Sequence, residues 1–309
     1  MINRMKAELV IDAKDAIGEG ATWDAAGERF LWLDNAIGLL HEAKSDAKKA
    51  WRESRRWNLN RPTGAAIPRV RGGLVVMGGT EVFMLDEAGK VSPFVRIHAD
   101  PAAVKLNDGK CDPLGRLWVG TQPHDFSPGR CALYRIDTDG TVTTMLEQVG
   151  LSNGLDWSPD GATFYYIDSM SRTVDAFDFN AQRGSISNRR AIITIPAGEG
   201  GFDGMAVDRE GCLWVAVFGA SEVRRYRPDG ALLASVAISA PAVTSCAFGG
   251  VDGGDLLITS ASIRLPEGVV RIIGCSAELA ETSATAPGAG GLFVCRPGVT
   301  GRPPTPFAG

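Results

Sequence analysis

The chain has 309 residues, enough for one large domain or two ordinary ones. Apolar residues make up 44% and charged residues 22%, proportions that exclude disordered and collagen-like architectures. Lys and Arg number 32 against 36 Asp and Glu, a formal charge of −4, so the basic excess of a nucleic-acid binder is missing.

No run reaches the ~18 apolar residues of a membrane helix, and the N-terminus lacks the apolar core of ~7–15 residues of a secretory signal. A cytoplasmic protein without a membrane partner is therefore expected. The cysteines Cys111, Cys131, Cys212, Cys246, Cys275 and Cys295 form no C-x-x-C pair and read as small buried side chains in a reducing compartment. With 38 Gly, 17 Pro and 7 Trp, the composition favours many short strands over a helical bundle.

One phrase recurs along the chain: a turn containing Gly, then a short β-type apolar run. Its copies begin at Asp24, Arg69, Asp112, Ser158, Asp208 and Val251, and their turn glycines are Gly27, Gly72, Gly115, Gly161, Gly211 and Gly253. These glycines lie 42 to 50 residues apart, the period of a propeller blade. The turn Gly supplies a positive φ, and the Val, Leu, Ile, Trp and Tyr that follow suit a half-buried pleat. The prediction is all-β: one six-bladed β-propeller of four-stranded antiparallel blades over residues 1–309. Leu39 to Arg56 is tempting as a helix, but its charged centre reads as a turn between two strands. Glu281 to Gly290, low in complexity, is left open between an outer strand and a loop.

Eight residues before each turn glycine stand Glu19, Gly64, Asn107, Asn153, Asp203 and Ser245. Equivalent positions in a radial repeat form a ring, here near one mouth of the channel. Glu19, Asn107, Asn153 and Asp203 would point oxygens at a common centre, a donor set suited to a hard divalent cation rather than to a His/Cys zinc site.

The chain resembles the SMP-30/gluconolactonase/luciferin-regenerating-enzyme family. The resemblance rests on Gly18-Glu-Gly-Ala-Thr-Trp23, Asn107-Asp-Gly-Lys-Cys-Asp112 running to Thr121, Leu151-Ser-Asn-Gly-Leu-Asp-Trp157, Asp203-Gly-Met-Ala-Val-Asp208 and Gly290-Gly-Leu-Phe-Val294. It implies a six-bladed propeller that hydrolyses lactones, typically of sugar acids, with one divalent cation held by Glu19, Asn153 and Asp203. The ion's identity stays open among Ca²⁺, Mg²⁺, Mn²⁺, Fe²⁺ and Zn²⁺. It also implies that Asn107 contacts substrate. Lys105 stands where the family often has Arg, a point charge replacing a fork. Asp125 is the counterpart of a substrate-contacting Glu, and His124 beside it is a further substrate contact to watch.

The chemistry then assigns Asp203 a second role, accepting the proton of the attacking water. Alternatives are a lactone or ester that is not a sugar, and a non-catalytic calcium-binding propeller. Gly150-Leu-Ser-Asn-Gly154 matches the nucleophile elbow, but a strand and a turn follow it where the elbow needs a helix, so Ser152 is set aside as nucleophile. His41 and His98 read as surface or loop residues. Asp168 reads as a strand-end cap, and Trp32, Trp118, Trp157 and Trp214 as blade packing.

Overall fold

Each copy of the repeated phrase folds as the hairpin between the first two strands of a blade, in a computed structural model that describes residues 2–46, 50–125, 127–264 and 276–309. Six sheets follow one another around a central channel, each an antiparallel meander from an inner strand outward. The inner strands are Gly18–Asp24, Thr63–Pro68, Val104–Cys111, Ser152–Trp157, Gly201–Val207 and Val243–Gly249. Five of the turn glycines have φ between 68° and 82°. In blade 1 the positive φ falls instead on Glu28, at 48°, so Gly27 is not the residue that needs it.

Asp112 and Asp208 show why the phrase makes a tight hairpin. The Asp208 carboxylate is fully buried and accepts from the amides of Glu210 and Cys212, each at 2.9 Å, and from Trp214 Nε1 at 2.9 Å. Asp112 does the same for Leu114, Arg116 and Trp118. One carboxylate thus closes the turn and anchors the tryptophan that fills the blade. Asp168 caps the Gly150 and Leu151 amides. Between blades 3 and 4 the indole of Trp118 meets Trp157, Phe164 and Phe179 at 5.0–5.8 Å.

The ring is closed from the N-terminal side. Strand β2 (Glu8–Ile11) pairs antiparallel with Leu292–Cys295 and completes blade 6. Strand β1 (Asn3–Lys6) runs parallel to Leu232–Ala237 and adds a fifth strand to blade 5. The segment from Thr300 to Gly309 crosses the hairpin-turn end of the channel, bonding to Arg209, Gly253, Trp157, Gly115 and Pro68, with Phe307 wholly buried.

Leu39–Ser45 and Trp51–Asn58 are strands, as expected; residues 47–49 lie outside the described residues. Helix α1 (Ala277–Thr285) settles the segment left open: half of Glu281 to Gly290 is helical, its Ala, Glu and Leu being good helix formers, and the outer strand starts only at Leu292. Cys111, Cys131, Cys212, Cys246 and Cys295 are buried and unpaired, and Cys275 lies outside the described residues.

Candidate active site at the channel mouth

Every inner strand slips register against its neighbour near its start, at the mouth opposite the hairpin turns. In blades 3, 4 and 5 the pairs Asn107-Asp108, Asn153-Gly154 and Asp203-Gly204 each stand where the partner strand offers one residue. A bulge bends the strand and re-aims a side chain that would otherwise follow the pleat. Glycine lets the six inner strands crowd together there. A Cβ on Gly154 would lie 2.7 Å from the Asp203 carbonyl oxygen, and one on Gly64 only 2.1 Å from that of Asn107. The second contact explains why blade 2 contributes no side chain to the ring.

The mouth opens into a cavity of about 1150 Å³. Glu19, Asn107, Asn153 and Asp203 all line it. The Glu19 and Asp203 carboxyls hydrogen-bond to each other. Burial, reinforced by the Asp108 charge, pushes Glu19 up to about 8. Burial and then the Glu19 charge push Asp203 well above the ordinary carboxylate range. Two acids that share a proton at the floor of a cavity form a place where a cation is favoured. Burial drives the Lys105 ammonium down to about 8 against the pull of Glu19. Its Nζ donates to Asn35 Oδ1.

The two asparagines are held as a unit. Asn107 Nδ2 donates to Asn153 Oδ1 and to the Ser152 carbonyl, each at 2.8 Å. Asn153 Nδ2 donates to Ser169 Oγ at 2.7 Å, which donates on to the Phe202 carbonyl at 2.7 Å. These bonds fix the Asn153 amide with its oxygen turned toward Asn107 and leave Asn107 Oδ1 without a partner among the described residues. Glu19, Asn153 and Asp203 thus supply two carboxylates and one oriented carboxamide oxygen, the donors a hard divalent cation takes. Among the described residues no three His, Cys, Asp or Glu side chains gather as a metal centre.

His124 and Lys105 also line the cavity. Asp125 does not. It is exposed, caps the Ser127 amide at 3.0 Å and pairs with Arg130 at 3.3 Å, its short side chain satisfied at the rim. Gln122 lines the wall on that strand instead. In blade 6 the bulge brings Thr244 to the wall in place of Ser245, and Thr244 Oγ1 donates to the Gly18 carbonyl at 2.5 Å. Ser152 is fully buried, and a Cβ on Gly120 would lie 1.7 Å from its Oγ, so the hydroxyl is packed under the floor, away from any substrate.

His41 departs from expectation. It is buried, stacked on Trp32 at 4.7 Å, with Nδ1 2.6 Å from Glu53 and Nε2 3.1 Å from Asp15.

Asn35, Gln122, Ser169 and Gly219 line the cavity unannounced, yet each lies seven or eight residues after a turn glycine. An antiparallel hairpin brings residues at equal distances before and after its turn to the same end. Counting forward as well as back would have found them.

Residues 17–262 match the SMP-30/Gluconolactonase/LRE-like region. Over their whole lengths, the chain and the regucalcin of Danio rerio are 36% identical. It is 32% identical to the provisionally named sugar lactone lactonase YvrE of Bacillus subtilis, over 99% of each chain. Among solved structures it superposes on a luciferin-regenerating enzyme with a TM-score of 0.83 and 30% identity, over 96% of each chain. The chain belongs to the SMP-30/gluconolactonase/LRE-like family.

Proposed function

We propose that the protein hydrolyses a sugar-acid lactone at the channel mouth with the help of one divalent cation held by Glu19, Asn153 and Asp203. The observation that carries this reading is the half-buried, mutually bonded pair of carboxyls, Glu19 and Asp203, at the floor of a cavity large enough for a sugar ring. The relatives named for regucalcin and for sugar lactone lactonase support it.

When bound, the cation polarises the lactone carbonyl and stabilises the developing oxyanion. The remaining work falls to side chains. Asp203 takes a proton as the water oxygen bonds to the carbonyl carbon. The bond from that carbon to the ring oxygen then breaks, and the same proton passes to the departing alkoxide. The product is an open-chain hydroxy acid. Asn107 positions Asn153 and, through its free Oδ1, receives a substrate hydroxyl. Lys105, His124 and Gln122 orient the other hydroxyls from blade 3. A panel of aldonolactones followed by acid release tests the reading: release should vanish with chelator and return with one divalent cation. Release that ignores the chelator would overturn the metal-dependent scheme.

A further inference from the structure

Arg172 lines the cavity from the turn that follows Ser169. Its Nε donates to the Ile195 carbonyl at 3.2 Å, and its Nη2 to the carbonyls of Gly200, at 3.0 Å, and Pro196. All three partners are neutral. Among the described residues no carboxylate pairs with it, and Nη1 has no partner. Most of the chain's other structured arginines meet an Asp or Glu, as Arg29, Arg116, Arg135, Arg224 and Arg225 do. Arg172 also holds φ at 61°, which Gly or Asn would adopt at lower cost.

The charge balance of the cavity gives the reason, and here the inference rests on the lactonase reading. With a divalent cation offsetting Glu19 and Asp203, the wall retains Lys105 and Arg172 against Glu278 of α1. Asp108 stands behind the ring and does not line the cavity. Ser169 and Arg172, on one turn, grip the same approaching segment at Phe202 and Gly200. Gly200 and Asp203 are three residues apart, which sets an upper bound of about 11 Å between them, a span that admits a six-carbon acid. A cavity of about 1150 Å³ exceeds the ~300–1,000 Å³ that serve drug-sized ligands, so one lactone ring leaves room for a charged substituent.

We infer that the preferred lactone carries an anionic substituent, a carboxylate or a phosphate, at the end remote from the reacting carbonyl, and that Arg172 receives it. A guanidinium already anchored by carbonyls loses little freedom on binding, and its unpartnered Nη1 offers a charge-assisted hydrogen bond.

Calorimetric titration of the metal-loaded protein with three hydroxy acids tests this: an aldonate, the matching aldarate, and the aldonate bearing a terminal phosphate. At least one of the two acids with a second anionic group should bind about tenfold more tightly than the aldonate. Those two arms tell carboxylate from phosphate. Arg172→Met should erase the preference, and Arg172→Lys, which keeps the charge, should retain part of it. Equal affinities in the wild-type protein, or a preference that survives Arg172→Met, would overturn the inference. Acid release from the corresponding lactones separates it from the reading beneath it. A preference for the second anionic group without hydrolysis would fail the lactonase reading alone; hydrolysis without the preference would fail the anion site alone.

Discussion

The two ends of the channel are built from the same six hairpins and finished in opposite ways. At the turn end, Asp112 and Asp208 spend every oxygen on amides, indoles and arginines, and the segment ending at Gly309 lies across them. At the mouth, Glu19 and Asp203 stand half-buried and bonded to each other, with no Lys or Arg among the described residues in ion-pair contact, and each is held toward its protonated form. Satisfied carboxylates at one end hold the ring together. Two acids at the other, bonded only to each other and to the Gly20 amide, are costly to the fold and available to a ligand.

That contrast can be broken from either side. The largest effect is expected at the mouth: Asp203→Ala should lower kcat by at least about a thousandfold, having removed both a ligand and a base. The melting temperature should hold or rise, because one of two acids crowded against each other is gone; kcat and calorimetric melting on one sample check both. The mirror-image change, Asp208→Ala, should cost about 3 kcal/mol in denaturant unfolding by stranding Trp214 Nε1 and the Cys212 amide and leaving Arg225 with Glu210 alone. The activity of the folded fraction should persist. Asn107→Ala lies between them. Released from its hold, the Asn153 oxygen should lose about 10- to 100-fold in metal affinity, read by competition with a chelating dye.

The smallest effect is one of pH. Burial alone would push the His41 imidazole down, but the Asp15 and Glu53 carboxylates outweigh it and hold it above its ordinary 6.5. Its charged form therefore adds stability that is fully present below 6.5 and is lost as pH rises through the higher folded value. Glu53, held below its ordinary 4.5 chiefly by His41 and Arg56 against burial, adds stability present above 4.5 and lost as pH falls through its lower folded value. Urea midpoints of the wild-type protein should decline above pH 6.5, and His41→Gln should flatten that slope.

The repeat made the six blades legible because one physical need, a tight turn feeding a buried strand, recurs at a nearly constant spacing. The ring of Glu19, Asn107, Asn153 and Asp203 was legible for the same reason. What escaped was set by contacts without local pattern. The parallel pairing of Asn3–Lys6 with blade 5, the burial of Phe307 and the arrival of α1 at the cavity join residues far apart in the chain. His41 looked like a surface residue because a single polar residue in a strand does not reveal Asp15 and Glu53 on either side of it. Asp125 followed the sequence register of a family contact, but its strand has already left the wall after His124.

Where a cation binds is the most direct test of the channel mouth. A crystal soaked in Mn²⁺ and measured for anomalous scattering should show one strong peak at the channel mouth, bounded by Glu19, Asn153 and Asp203. That peak should disappear in Asp203→Ala. A mouth without a peak, or a peak coordinated by other residues, would contradict the assignment of these oxygens to a cation.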